Sequence, residues 1–82
     1  MSEFRKSKID LYVIKQVKNK RLAQGWSQAI LAVKLDVSDA FIGQTETLNN
    51  TSKYSLRHIN KLAKIFNCGI YDFLPEKPLE DF

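Results

Sequence analysis

The feature that most constrains this chain is the run from Ser27 to Glu46, where two serines each stand at the head of a short apolar-patterned segment. A serine oxygen accepts a backbone N–H left unpaired at a helix start, so Ser27 and Ser38 are placed to cap two helices. Between them Ile30, Leu31, Leu35 and Val37 supply an apolar face, which Ile42 continues. Caps this close together leave room for two short helices and a tight turn at Leu35-Asp36-Val37. Asp36 is expected at positive φ, which Asp and Asn tolerate better than other side chains.

The rest of the chain reads as helix too. From Ile9 to Gln24 a helical period appears, with Ile9, Val13, Val17 and Arg21 four apart and Ile14 and Leu22 beside them. Gly25 stands where a left-handed residue commonly ends a helix, and Trp26 reads as a core anchor. Helix two is expected over Gln28 to Lys34 and helix three over Asp39 to Thr47. Leu48 to Tyr54 is a polar loop. Ser55 is a further N-cap for a helix reaching Phe66, with Leu56, Ile59, Leu62, Ala63 and Phe66 as its apolar stripe and Asn67 as its stop. A fifth short helix is expected from Ile70 to Leu74, before Pro75. No β signal competes. The expected architecture is all-α, a compact bundle of five helices over residues 9–74, with a flexible basic arm at 1–8 and an acidic tail at 75–82.

Eighty-two residues allow one domain, and 44% hydrophobic residues suffice for a core. No apolar run approaches the ~20 residues that span a bilayer, and none near the N-terminus has the form of a secretory signal. A single cysteine, Cys68, excludes an internal disulfide framework, so a cytoplasmic address is expected. The net charge of +4 is unevenly spread. Residues 1–34 carry Arg5, Lys6, Lys8, Lys15, Lys18, Lys20, Arg21 and Lys34 against Glu3 and Asp10. Residues 70–82 carry Lys77 against Asp72, Glu76, Glu80 and Asp81. A basic front and an acidic tail suit a polyanion at one end, or an ordinary solvated surface.

Nothing in the residue set supports catalysis. His58 is the only histidine and has no Cys or acid cluster with ligand spacing, so no metal is expected; it reads as a surface residue of the fourth helix. Cys68 reads as core packing rather than a redox thiol. The serines have no histidine–acid partners for a triad, and there is no glycine-rich phosphate loop. The chain is expected to be no enzyme, with no cofactor and no small-molecule substrate.

The paired short helices form a helix-turn-helix pattern, whose second helix is shaped for the DNA major groove. From Val17 to Leu74 the chain resembles the phage repressor/Cro-like, or XRE, helix-turn-helix domains, a lambda-repressor-like fold. Five blocks carry the likeness: Val17-Lys18-Asn19-Lys20-Arg21; Gly25-Trp26-Ser27-Gln28; Leu31-Ala32; Val37-Ser38 with Ile42 and Glu46; and Ser55-Leu56 through Ala63 to Phe66. The resemblance implies a partly buried ion pair between Arg21 and Glu46. It implies a DNA phosphate at Gln28, where a helix N-terminus suits an anion. It places Ser38, Asp39, Ala40 and Gln44 against base edges: Gln pairs with adenine, Asp accepts from cytosine, and Ala touches a thymine methyl. Phe41 is left open between DNA contact and core. Lys34, Asn49, Asn50, Lys53 and Arg57 are the candidates for backbone contacts, which need cations and amides.

The chain also departs from that pattern. Asp36 replaces the usual turn glycine. Leu48 replaces another, so Asn49 or Asn50 is expected to supply any positive-φ turn there. No Arg or Lys lies between Leu35 and Asn50. The function expected from the resemblance is a sequence-specific transcriptional regulator, binding double-stranded DNA as a homodimer. The acidic, aromatic end (Tyr71, Phe73, Leu74, Leu79, Phe82) is the expected dimer surface. The alternative is a protein-interaction or antitoxin-like module on the same fold.

Overall fold

A computed structural model describes residues 6–80. Their architecture is four α-helices and one 3-10 turn: α1 Lys8–Ala23, α2 Gln28–Leu35, α3 Asp39–Thr45, α4 Leu56–Ile65, and the turn Ile70–Phe73. Among the described residues there is no strand, and no helix is long and apolar enough to cross a membrane.

Each helix starts on a serine. Ser7, Ser27, Ser38 and Ser55 accept from the N–H three residues on, relieving one of the unpaired donors at each start. At Ser7 the cap is reciprocal, because Asp10 accepts from the Ser7 N–H at 3.1 Å. Helices α1, α2 and α4 stop where the sequence suggests. Gly25, Asp36 and Asn67 hold φ of +73°, +63° and +53°, turning the chain where a helical residue could not.

The core joins all the elements. Val13, Ile14 and Val17 of α1 meet Leu31, Ala32 and Leu35 of α2, Ile42 of α3, and Ile59, Leu62 and Ala63 of α4, with Tyr54 and Phe73 closing it. Phe73 is fully buried. Burying a side chain of this size favours folding by ~1.5–3 kcal/mol, so the 3-10 turn is part of the scaffold. Trp26 is half-buried and stacks on Phe66 with centroids 5.1 Å apart, which ties the α1–α2 connection to the end of α4.

Several expectations need correcting. The fifth helix is only the 3-10 turn, because Leu74 precedes Pro75 and is extended at φ −112°, ψ 146°. Helix α3 ends at Thr45, two residues early, where Lys6 and Thr45 divert its last turn (below). Lys6, Ser7 and Lys8 belong to the fold and not to an arm; residues 1–5 of the expected arm lie outside the described residues. Leu56 and Ile30, expected on apolar faces, are 78% and 43% exposed. Neither Asn49 nor Asn50 takes positive φ. Instead Asn50 Oδ1 accepts from the Ser52 N–H at 2.8 Å, a side-chain turn that serves the same purpose.

Candidate nucleic-acid interface

The α2–α3 unit is fastened where α3 ends. Arg21 of α1 reaches across and donates to both oxygens of Glu46, from Nε at 3.0 Å and Nη2 at 2.8 Å. Its third nitrogen donates to the Trp26 carbonyl at 2.8 Å. The two side chains are 8% and 4% exposed. A planar guanidinium suits this two-pronged grip, and nearly every polar atom of the pair is satisfied.

Gln28 completes the network. Its Nε2 donates to Glu46 Oε1 at 3.0 Å, joining the first residue of α2 to the residue that ends α3. Gly43 lies beneath the crossing, where a Cβ would stand 3.4 Å from Gln28 Oε1, in contact with it. The Gln28 amide nitrogen is thus engaged with Glu46 and does not point freely into water.

The same end of α3 is also held by a residue expected in the arm. Lys6 is 6% exposed. Its ammonium donates to the carbonyls of Gln44 at 3.2 Å, Thr45 at 2.7 Å and Thr47 at 2.6 Å. These carbonyls lie at the end of α3, where that of Gln44 also accepts from the Thr47 N–H at 3.3 Å, and a cation there answers the helix dipole. Burial pulls the Lys6 pKa down, with Asp10 acting the other way. No local pattern marks Lys6, because its partners lie about forty positions away in the sequence. The Ser7-to-Asp10 capping pattern beside it was a legible sign that order begins there.

The residues placed against base edges lie at the surface. Ser38, Asp39, Ala40 and Gln44 are all exposed. The Ser38 hydroxyl caps α3, accepting from the Phe41 N–H at 3.0 Å, while Gln44 Oε1 sits 3.5 Å from the Ser52 hydroxyl. Phe41 is half-buried against the core, with its ring 5.1 Å from His58 and 6.0 Å from Tyr54. Phe41 thus packs against the core margin with part of its ring at the surface.

His58 is therefore more than a surface residue. Its ring is the third member of this aromatic group, and its Nδ1 accepts from the Ser55 N–H at 3.1 Å, closing the cap of α4. Burial first, then Arg57 and Lys61, lower its pKa from the ordinary 6.5. Tyr54 beside it has a buried hydroxyl with no partner among the described residues, and burial raises its pKa.

The candidates for backbone contacts are scattered. Arg57 and Asn49 are exposed and Asn50 half-buried. Lys34 is exposed, but its ammonium lies 4.7 Å from the centre of the Trp26 ring, a cation–π contact. Lys53 is 58% exposed and stands 3.6 Å from Asp10. At the other end of the molecule, Phe73 is in the core and offers nothing to a dimer, Tyr71 is 86% exposed, and Phe82 lies outside the described residues. Cys68 packs at the core margin, where burial raises its pKa. Among the described residues no group of His, Cys, Asp and Glu could hold a metal ion.

The sequence matches no protein-family model and no curated protein. Its fold matches the crystal structure of a hypothetical transcription factor, NHTF, from Neisseria, with a TM-score of 0.72 over 92% of this chain and 85% of that one. The two are 20% identical, so the likeness concerns the fold.

Proposed function

We propose that this protein is a DNA-binding transcriptional regulator of the repressor/Cro-like type on a lambda-repressor-like scaffold, and not an enzyme. The observation that carries the reading is the exposed set Ser38, Asp39, Ala40 and Gln44 on a helix whose C-terminal end is anchored to α1 and α2. A helix that must present side chains to base edges cannot rock, and α3 is held by Arg21, Gln28 and Lys6. The fold likeness to a protein described as a hypothetical transcription factor supports the same reading.

In this reading α3 enters the major groove. Gln44 pairs with an adenine, Asp39 accepts from a cytosine, and Ser38 and Ala40 complete the edge contacts. Gln28 at the start of α2 and the more scattered Lys34, Asn49, Asn50, Lys53 and Arg57 meet phosphates, fixing the register. A homodimer would set two copies of α3 about 34–36 Å apart on a roughly palindromic operator. Regulation is then by occupancy in the cytoplasm: the bound protein blocks polymerase or recruits it.

One observation favours a second reading. The exposed start of α3 carries Asp39, which phosphates repel, and α2 exposes Ile30 and Val33, which suits a protein partner. Titration of a random duplex at several salt concentrations separates the two. A DNA binder loses affinity with a log–log slope near −0.9 per phosphate neutralised. A flat response sinks the DNA reading and leaves the interaction module.

A further inference from the structure

Helix α4 carries a charged stripe that the reading above uses only at its first member. Arg57, Lys61 and Lys64 are spaced four and three residues apart, so they lie on one side of the helix. At 1.5 Å of rise per residue the row extends ~10 Å. All three are exposed, as is Asn60 beside them. They line a cleft of 560 Å³ between α4 and the α2–α3 turn, whose other walls include Ser55 and Asp36. The two ion pairs of the described residues, Arg21–Glu46 and Lys53–Asp10, involve none of the three. Asp36 is the one acid facing the cleft. The lowered pKa of His58, in the cleft wall, owes part of its shift to Arg57 and Lys61, so the positive field of both reaches inside.

The surroundings choose among occupants. A second copy of this chain would bring its own three cations to the same place. An apolar peptide would leave the three cations of the wall without partners. The cleft also adjoins the proposed DNA face, since Asp36 in its wall stands two residues before Ser38 and Arg57, itself a candidate for a phosphate contact, lines it. We infer that Lys61 and Lys64 extend the phosphate-contacting surface along α4, so that the cleft takes the sugar-phosphate backbone of a duplex beyond the base pairs read by α3. The inference rests on the DNA-binding reading and adds to it a longer, sequence-independent footprint.

The test is the salt dependence of duplex binding by the full chain and by Lys61→Ala/Lys64→Ala. Both lysines are exposed, and a retained helical spectrum and melting temperature confirm the fold. If each lysine neutralises a phosphate, the log–log slope shrinks by ~1.8, while the preference for a selected sequence over a random one stays the same. An unchanged slope overturns the inference and leaves the DNA reading intact, with Arg57→Ala marking where contact ends. If the unsubstituted chain shows no salt-dependent duplex binding, both fall together. If the variant loses binding to polyglutamate and not to duplex, the stripe serves an acidic protein and the duplex assignment is wrong.

Discussion

The Lys6 ammonium donates to the Thr45 carbonyl at 2.7 Å, although the two residues are 39 positions apart. The contact fixes the entry to α1 against the exit from α3. It also explains why α3 is short. The Thr45 hydroxyl donates back to the Phe41 carbonyl at 2.6 Å, and Lys6 takes the carbonyls that a further turn of helix would have used.

Lys6→Met should destabilise the fold by ~1–3 kcal/mol, because it leaves three carbonyls of a largely buried cluster without a charged donor. In a domain of this size that lowers the melting temperature by ~4–8 °C per kcal/mol. The loss should be local first. Amide exchange should quicken in α3 more than in α4. Equal quickening in both helices would show that Lys6 does not hold α3 in particular.

Arg21 and Glu46 should behave as a unit. Arg21→Met strands the Glu46 carboxylate and Glu46→Leu strands the guanidinium, each costing ~3–5 kcal/mol. The double substitution should cost clearly less than the two single losses combined. Urea denaturation of the four proteins measures this, and strict additivity would remove the pair from the account of stability.

Gln44→Ala should leave stability nearly unchanged and relax the preference at one base pair by ~1–3 kcal/mol. Selection of bound sequences before and after the change reads this directly. A preference lost evenly across the whole site would mean that Gln44 supports the loop through Ser52 and does not read a base.

Stability should depend on pH through His58. Its folded pKa lies below the unfolded value, so the unfolded chain binds more protons between the two. Stability contributed by the neutral ring is therefore full above about 6.5 and declines as pH falls through that value toward the lowered one. Protonation also removes the acceptor at Nδ1 that closes the cap of α4. His58→Gln should flatten the urea midpoint between pH 7.5 and pH 5.5, after allowance for the carboxylates; an unchanged slope would place the pH dependence elsewhere.

The sequence by itself determined where α2, α3 and α4 begin and, within a residue, where α1, α2 and α4 end. Serine caps, a glycine and the left-handed Asp36 and Asn67 act within a few residues of the backbone they serve, so their effect is readable without knowing the fold. The same holds for the core residues that recur at helical spacing, Val13, Val17, Ile59, Leu62 and Ala63. Leu56 and Ile30 fit that spacing equally well and are exposed, because periodicity marks a face and does not say whether another element covers it. Tertiary structure alone decided the rest. It turned Phe41 inward to His58 and Tyr54, laid Gln28 across Gly43 onto Glu46, and brought Lys6 to the end of α3. These contacts depend on how helices pack in three dimensions, and side chains forty residues apart leave no mark on each other's neighbours in the chain.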